Sequence, residues 1–127
     1  CQVLRDHGAT QRVIVPSSRE QALSDFRAAC PEVATAAGTN EVTWSVGLSL
    51  VGLGGVISPA YVAAQVPLSS SGIPVVTPGW VSAMHARGVR VDVWTIDEGA
   101  EMQRLIDLGV DGIFTNRPDV LLELLGR

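Results

Sequence analysis

Short β-branched runs and stretches of helical period alternate along the whole chain. Residues 12–15 form the first run, and Pro16 ends it. Ser17 and Ser18 each stand three residues before Glu20 and Gln21, a capping-box spacing that satisfies free helix N–H groups. Ala22, Leu23, Phe26 and Cys30 follow at helical spacing, and Pro31 stops that helix. Residues 33–37 form a second, Ala-rich strand pattern, and residues 38–40 a turn with capping residues. Trp44, Leu48 and Val51 then repeat as one helical face, in a helix that each glycine weakens by about 1 kcal/mol relative to Ala. Residues 61–66 form a third strand pattern closed by Pro67, and residues 69–72 a loop.

The second half is punctuated more sharply. Thr77 followed by Pro78 places an N-cap residue before a proline at the first helical position. Val81 and Met84 give that helix an apolar face, and Gly88 suits its left-handed C-terminal cap. Residues 89–96 form the fourth strand, with Val89, Val91 and Val93 on one face and Arg90, Asp92 and Trp94 on the other. Asp97 is placed to cap the next helix, whose buried stripe is Met102, Leu105 and Ile106 and whose end is Gly109. Residues 110–115 form the fifth strand. Pro118 starts a last helix with Val120, Leu121, Leu124 and Leu125 expected inward.

Strand and helix thus alternate about five times, a pattern that implies parallel strands joined by right-handed crossovers. Two α/β architectures satisfy it. One is an open, flavodoxin-like doubly wound sheet. The other is part of a closed (β/α)8 TIM-type barrel, which takes about 250 residues when complete. This chain has 127 residues, so as a barrel it would be about half of one.

Composition narrows the partners. The chain is 46% hydrophobic and 17% charged, which describes a folded domain rather than a disordered one. Its net charge is −4 and no basic stripe occurs, so nucleic acid is not an expected partner. Residues 42–84 contain no Asp, Glu, Lys or Arg. The glycines at 47, 52, 54 and 55 and the prolines after them break this segment well short of the ~20 apolar residues of a spanning helix. Burial on both faces, as in a barrel wall, accounts for it. So does an uncharged surface left bare by a missing partner segment.

The two cysteines, Cys1 and Cys30, form no CxxC, and neither a zinc nor a redox site is expected of them. Cys30 is expected as a small buried residue at a helix end. Gly52-Leu53-Gly54-Gly55 lacks the Lys-Ser/Thr of a phosphate-binding P-loop. Among the acids Asp92, Asp97, Glu98 and Asp111, helix capping accounts for Asp97 and Glu98 and a turn for Asp111, so no metal site is assigned.

Residues 91–97, Val-Asp-Val-Trp-Thr-Ile-Asp, lead through Glu101-Met102 to Leu108-Gly109-Val110-Asp111-Gly112-Ile113-Phe114-Thr115-Asn116-Arg117-Pro118. This stretch resembles the C-terminal signature of the glycerophosphodiester phosphodiesterase family. There a strand ending in Trp-Thr enters a helix, followed by Gly-Val-Asp-Gly-Ile and a Thr-Asp-x-Pro turn. Asn116 stands where that turn usually has Asp. Residues 12–18 and the Ala-Ala-Cys-Pro helix end are similar to the family's middle strand and helix. That strand often ends in Ser-Phe: Ser17 matches and Ser18 departs. Residues 61–91 also look like bacterial members, although only residues 94–118 are specific.

The resemblance implies that residues 1–127 are the C-terminal half of such a barrel domain. The family hydrolyses glycerophosphodiesters to an alcohol and glycerol phosphate, using a carboxylate-held divalent metal (Mg or Ca) and two histidines. The metal would neutralise phosphate oxygens, and the imidazoles would give and take a proton. The family's early His-Arg-Gly, Glu-x-Asp, His-Asp and Glu-x-Lys motifs do not occur here. His7 lacks the following Arg, and His85 lies inside a predicted helix. No catalytic residue or metal ligand is therefore assigned to this chain, and by itself it is expected to be inactive.

Its expected role is to complete the barrel and line the substrate pocket with Trp94, Thr115 and Ser17, at the mouth ends of their strands. The expected partner is a small glycerophosphodiester. Open sheet edges invite self-association, so a free-standing half-barrel that binds or assembles is one alternative. The phosphate-binding half of another barrel enzyme is a second. With no signal segment and few cysteines, cytoplasmic is the default compartment.

Overall fold

A computed structural model describes residues 1–127. In chain order the elements are α1 (Gln2–Asp6), β1 (Ile14–Val15), α2 (Glu20–Ala29), β2 (Ala34–Thr35) and α3 (Thr39–Leu50). Then come a 3-10 turn (Gly54–Val56), β3 (Ala63–Val66), β4 (Ser69–Ser70), β5 (Ile73–Pro74) and α4 (Pro78–His85). β6 (Arg90–Val93), α5 (Gly99–Leu108), β7 (Gly112–Ile113) and α6 (Pro118–Leu124) complete the chain.

β1 pairs with β2 in parallel, and β3, β6 and β7 form a second parallel set in that order. A parallel bridge between Ala36 and Ala63 joins the two sets. The Ala37 N–H donates to Ala63 O at 2.8 Å across the same seam. Each parallel strand therefore lies beside the one before it, with the β4–β5 antiparallel hairpin inserted after β3. A doubly wound sheet reverses its strand order partway. This progression does not, so the architecture is that of a partial barrel.

The alternation read along β6 is realised in packing. Val89, Val91 and Val93 join a core with Ala64 and Val66 of β3, Trp80, Val81 and Met84 of α4, and Met102 and Leu105 of α5. The other face of the sheet carries Gln65, Arg90 and Asp92, linked by side-chain hydrogen bonds. Thr77 caps α4 as expected, its Oγ1 accepting from the Trp80 N–H. Gly109 closes α5 at φ +84°, where a side chain would be strained.

Four expectations are corrected. The helix read from Trp44, Leu48 and Val51 exists, but Trp44 is 73% and Val51 69% exposed. The buried residues of α3 are Ser45 and Val46, because Trp80 of α4 packs there and donates from Nε1 to Ser45 Oγ at 2.9 Å. Leu124 and Leu125 also face outward, leaving Val120 and Leu121 to pack against the core. Ser17 and Ser18 do not cap α2. Its N-cap is Arg19, the Ser17 Oγ accepts from the Arg19 N–H at 3.1 Å, and Glu20 reaches instead to the Asn40 N–H at 2.8 Å. Finally, Cys30 is buried as expected, but it is bonded to Cys1 in a disulfide that ties α1 to the end of α2. Two Cys separated by 29 positions carry no local pairing signal, so only the fold reveals the bond.

The uncharged segment 42–84 is partly buried and partly exposed. Ala63, Ala64, Val66, Trp80 and Met84 are buried, whereas Trp44, Leu50, Val51, Leu53 and Val56 are exposed. No helix is long and apolar enough to cross a membrane.

Candidate functional site

All five parallel strands direct their C-terminal ends toward one open cavity of about 1080 Å³. Pro16, Ser17 and Ser18 reach it from the end of β1, and Ala36, Ala37 and Gly38 from the end of β2. Gln65, Val66 and Pro67 contribute from β3, Trp94 and Thr95 from the end of β6, and Phe114 from the end of β7. One face of α3 and the tip of the β4–β5 hairpin form the remaining walls. In barrels of alternating strand and helix, chemistry sits at this end of the strands.

Ser17 and Trp94, expected at the site, both line the cavity. Trp94 is 45% exposed and follows three buried residues of β6, so a rigid strand holds an accessible indole at the cavity wall. The Trp94–Thr95 peptide is cis. Thr115 is placed elsewhere: its Oγ1 donates to Asp97 Oδ1 at 3.0 Å and accepts from the Arg117 N–H at 2.8 Å. Its neighbour Phe114 takes the place at the cavity. Strand alternation fixes that only one of two successive residues faces a given side, but the sequence alone left the choice of side open at this end.

Asp97 was expected to cap α5. It instead accepts three hydrogen bonds from the end of the last strand, from Thr115 Oγ1, Asn116 N and Asn116 Nδ2. The Asn116 side chain and N–H, with Thr115 and the Arg117 charge adding, hold the Asp97 carboxyl below the ordinary carboxylate range. At the opposite end of the sheet, Asp111 Oδ2 accepts from the Val91 N–H at 2.7 Å and lies 2.8 Å from His85 Nε2. Partial burial pushes Asp111 up, but these two partners and Arg90 outweigh it and the carboxyl stays low. His85 thus belongs to a contact at the strand starts, away from the cavity.

The cavity walls were tested for a divalent cation, which takes oxygen ligands, carboxylates above all. The lining holds no carboxylate, imidazole or thiol. The nearby acids are committed to other partners. Glu20 takes the Asn40 N–H, and Glu41 takes Arg27 and the Gly38 N–H. Burial raises the Glu41 carboxyl, yet those last two partners keep it low. A cluster of Cys1, Cys30 and Glu32 has metal-like spacing, but its sulfurs are bonded to each other and Glu32 is paired with Arg5. These residues do not fit a divalent ion, and no step is assigned to one here.

What the chain does offer is a shaped wall: an exposed indole, small residues, hydroxyls and apolar side chains at the strand ends. That wall can bind and orient a ligand, and its lining side chains include no carboxylate, imidazole or thiol.

The model of the glycerophosphoryl diester phosphodiesterase family matches residues 2–120. "Probable glycerophosphodiester phosphodiesterase 2" of Mycobacterium tuberculosis is 46% identical over 61 residues, covering 48% of this chain and 23% of that protein. The glycerophosphodiester phosphodiesterase of Caldanaerobacter subterraneus is 25% identical over 127 residues, covering 98% of this chain and 46% of that one. The solved structure of an Oleispira antarctica phosphodiesterase, in complex with the product sn-glycerol-3-phosphate, superposes with a TM-score of 0.70 at 20% identity. It covers 99% of this chain and 47% of that protein, and establishes the likeness of fold. The matched part is thus less than half of the length of each of these proteins. Because that family model matches residues 2–120 of the 127 in the chain, the chain belongs to the glycerophosphoryl diester phosphodiesterase family.

Proposed function

We propose that this chain forms the substrate-lining C-terminal half of a glycerophosphodiester phosphodiesterase, the protein as a whole hydrolysing the diester to an alcohol and glycerol phosphate. The observation that carries this reading is Trp94, held by β6 at a cavity onto which every parallel strand opens. Its ring offers a flat apolar surface to the glycerol or alcohol carbons, and Ser17 a hydroxyl to a polar group. Thr115 acts one step back, joining Asp97 to the turn that follows Phe114. The divalent metal and the acid-base groups come from residues other than those lining this cavity. The Cys1–Cys30 bridge favours an oxidising compartment over the cytoplasmic default.

The test is hydrolysis of glycerophosphocholine by the natural gene product and by its Trp94→Ala variant. The expected result is metal-dependent hydrolysis, with KM raised roughly tenfold in the variant, the equivalent of about 1.4 kcal/mol of lost contact. An unmodified gene product with no diester hydrolysis in any divalent metal overturns the reading.

A self-assembling half-barrel is the second reading, favoured by the outer sides of β1 and β7, which pair with nothing in the sheet. A monomer at all concentrations in sedimentation rules it out.

A further inference from the structure

One row of residues crosses the face of the sheet turned away from the core. Parallel register sets Gln65 of β3 beside Asp92 of β6, and Asp92 beside Gly112 of β7. Gly112 has no side chain, which leaves the space that the Asp92 carboxylate fills. Asp92 is 4% exposed, and both of its oxygens are taken. Oδ1 accepts from Arg90 Nε at 3.1 Å and Nη2 at 2.9 Å, and Oδ2 accepts from Gln65 Nε2 at 3.3 Å.

This row fixes which way the Gln65 amide points. A carboxylate held by a guanidinium only accepts, so it meets the amide NH2 rather than the amide oxygen. Oε1 is thereby turned away from Asp92. It has no hydrogen-bond partner within the chain, and it is not sealed from solvent. Gln65 lines the cavity beside the strand that carries Trp94, which follows Asp92 by two positions on the same face of β6. The cavity thus receives a neutral acceptor whose orientation is set from behind by a buried carboxylate. The group that suits it is a donor without charge. A desolvated ammonium calls for a carboxylate, and none lines the wall. A hydroxyl needs only a neutral acceptor, and the glycerol part of a glycerophosphodiester carries hydroxyls.

We propose that Gln65 is a specificity-determining residue, its Oε1 accepting a hydrogen bond from a hydroxyl on the glycerol part of the substrate. Asp92 is the positioning residue that keeps that oxygen turned to the cavity. The identity of the ligand rests on the function proposed above; the orientation of the amide rests on the Gln65–Asp92–Gly112 row alone. Trp94 and Gln65 then have separate tasks. The ring covers carbon atoms, and the amide distinguishes a hydroxyl from a hydrogen.

The experiment is calorimetric titration of the natural gene product with glycerol phosphate and with its analogues lacking either the central or the terminal hydroxyl, in calcium or magnesium. These monoesters are not cleaved by a diester hydrolase, so binding is read without turnover. Removing the hydroxyl that meets Oε1 is expected to weaken binding roughly tenfold, the size of one neutral hydrogen bond. In Gln65→Met, which keeps the length of the side chain but not its polar atoms, that preference is expected to vanish. Asp92→Asn leaves Gln65 in place. Its new amide keeps an oxygen on Arg90 and turns an NH2 toward Gln65, so the Gln65 amide swings round and the preference shrinks here too. Equal binding of all three ligands by the unmodified protein, as when another segment takes Oε1, overturns the proposal. So does a preference that survives in Gln65→Met with unchanged far-UV circular dichroism. Where Gln65→Met does not fold, a preference undiminished in Asp92→Asn overturns it instead. Hydrolysis of glycerophosphocholine without the preference sinks the role of Gln65 alone; a Gln65-dependent preference with no hydrolysis of any diester sinks the proposed activity alone.

Discussion

Asn116 donates twice to one carboxylate: its main-chain N–H reaches Asp97 Oδ1 at 2.7 Å, and its Nδ2 reaches Asp97 Oδ2 at 3.0 Å. The segment leaving β6 is thereby tied to the segment leaving β7, close to Trp94 and Phe114. An Asp at position 116 keeps the N–H but replaces the amide donor with a second acceptor. Asn116→Asp is expected to lower Tm by a few degrees at pH 7. The pH dependence has a definite sign. The Asp97 carboxyl is depressed in the folded chain, chiefly by the Asn116 side chain. Its contribution is present above the unfolded value near ~3.9 and is lost as pH falls through the lower folded value. The gap in Tm between the variant and the natural chain should therefore narrow below about pH 4. A gap that stays constant from neutral to acid pH would exclude this account.

Gly112 sits against Asp92. A Cβ added there would lie 2.5 Å from Asp92 Oδ1, in a strand pair whose register places Asp92 opposite Gly112. Asp92 has little room to retreat, since Arg90 and Gln65 both hold it. Gly112→Ala is expected to cost about 1–3 kcal/mol in chemical denaturation. The cost should shrink in an Asp92→Ala background, because residues in contact do not contribute additively. An equal cost in both backgrounds would place the problem elsewhere.

The buried indole N–H of Trp80 has one partner, Ser45 Oγ, which itself donates to Val42 O at 2.8 Å. Ser45→Ala leaves that N–H unsatisfied in the core between α3 and α4. The expected loss is about 1–3 kcal/mol, seen as a lower denaturant midpoint at unchanged slope. A neutral Ser45→Ala substitution would show that the indole finds another acceptor.

The Cys1–Cys30 bridge closes a loop across 29 positions. Loop-closure entropy alone gives about 3–4 kcal/mol for a loop of that length. Thermal melts with and without reductant should differ accordingly, and Cys30→Ala should melt like the reduced chain. Alkylation of both cysteines in the native, unreduced chain would show that the bridge is not formed.

Much of the fold was legible in local patterns. The β6 alternation of Val89, Val91 and Val93 against Arg90 and Asp92 placed the core on the correct face, because side chains alternate strictly on a strand. Thr77-Pro78 and Gly109 marked a helix start and a helix end through backbone stereochemistry that acts within a few residues. α1 escaped notice because five residues carry too little periodicity, and the β4–β5 hairpin because each of its strands has only two residues.

Of the candidate site, the sequence by itself determined Trp94 at a strand end and Ser17 at the turn after β1, along with the family signature around them. Only the tertiary structure decided that Phe114 rather than Thr115 lines the cavity, that Asp97 serves Asn116 rather than its own helix, and that Cys1 meets Cys30. It also decided which face of α3 is buried. The physical reason is range. Period and capping depend on neighbours a few positions away, whereas Asp97 and Asn116 are 19 positions apart and Trp80 and Ser45 are 35 apart. Which of several nearby donors a carboxylate takes, or which apolar face meets a partner helix, is settled only when packing brings those distant groups together.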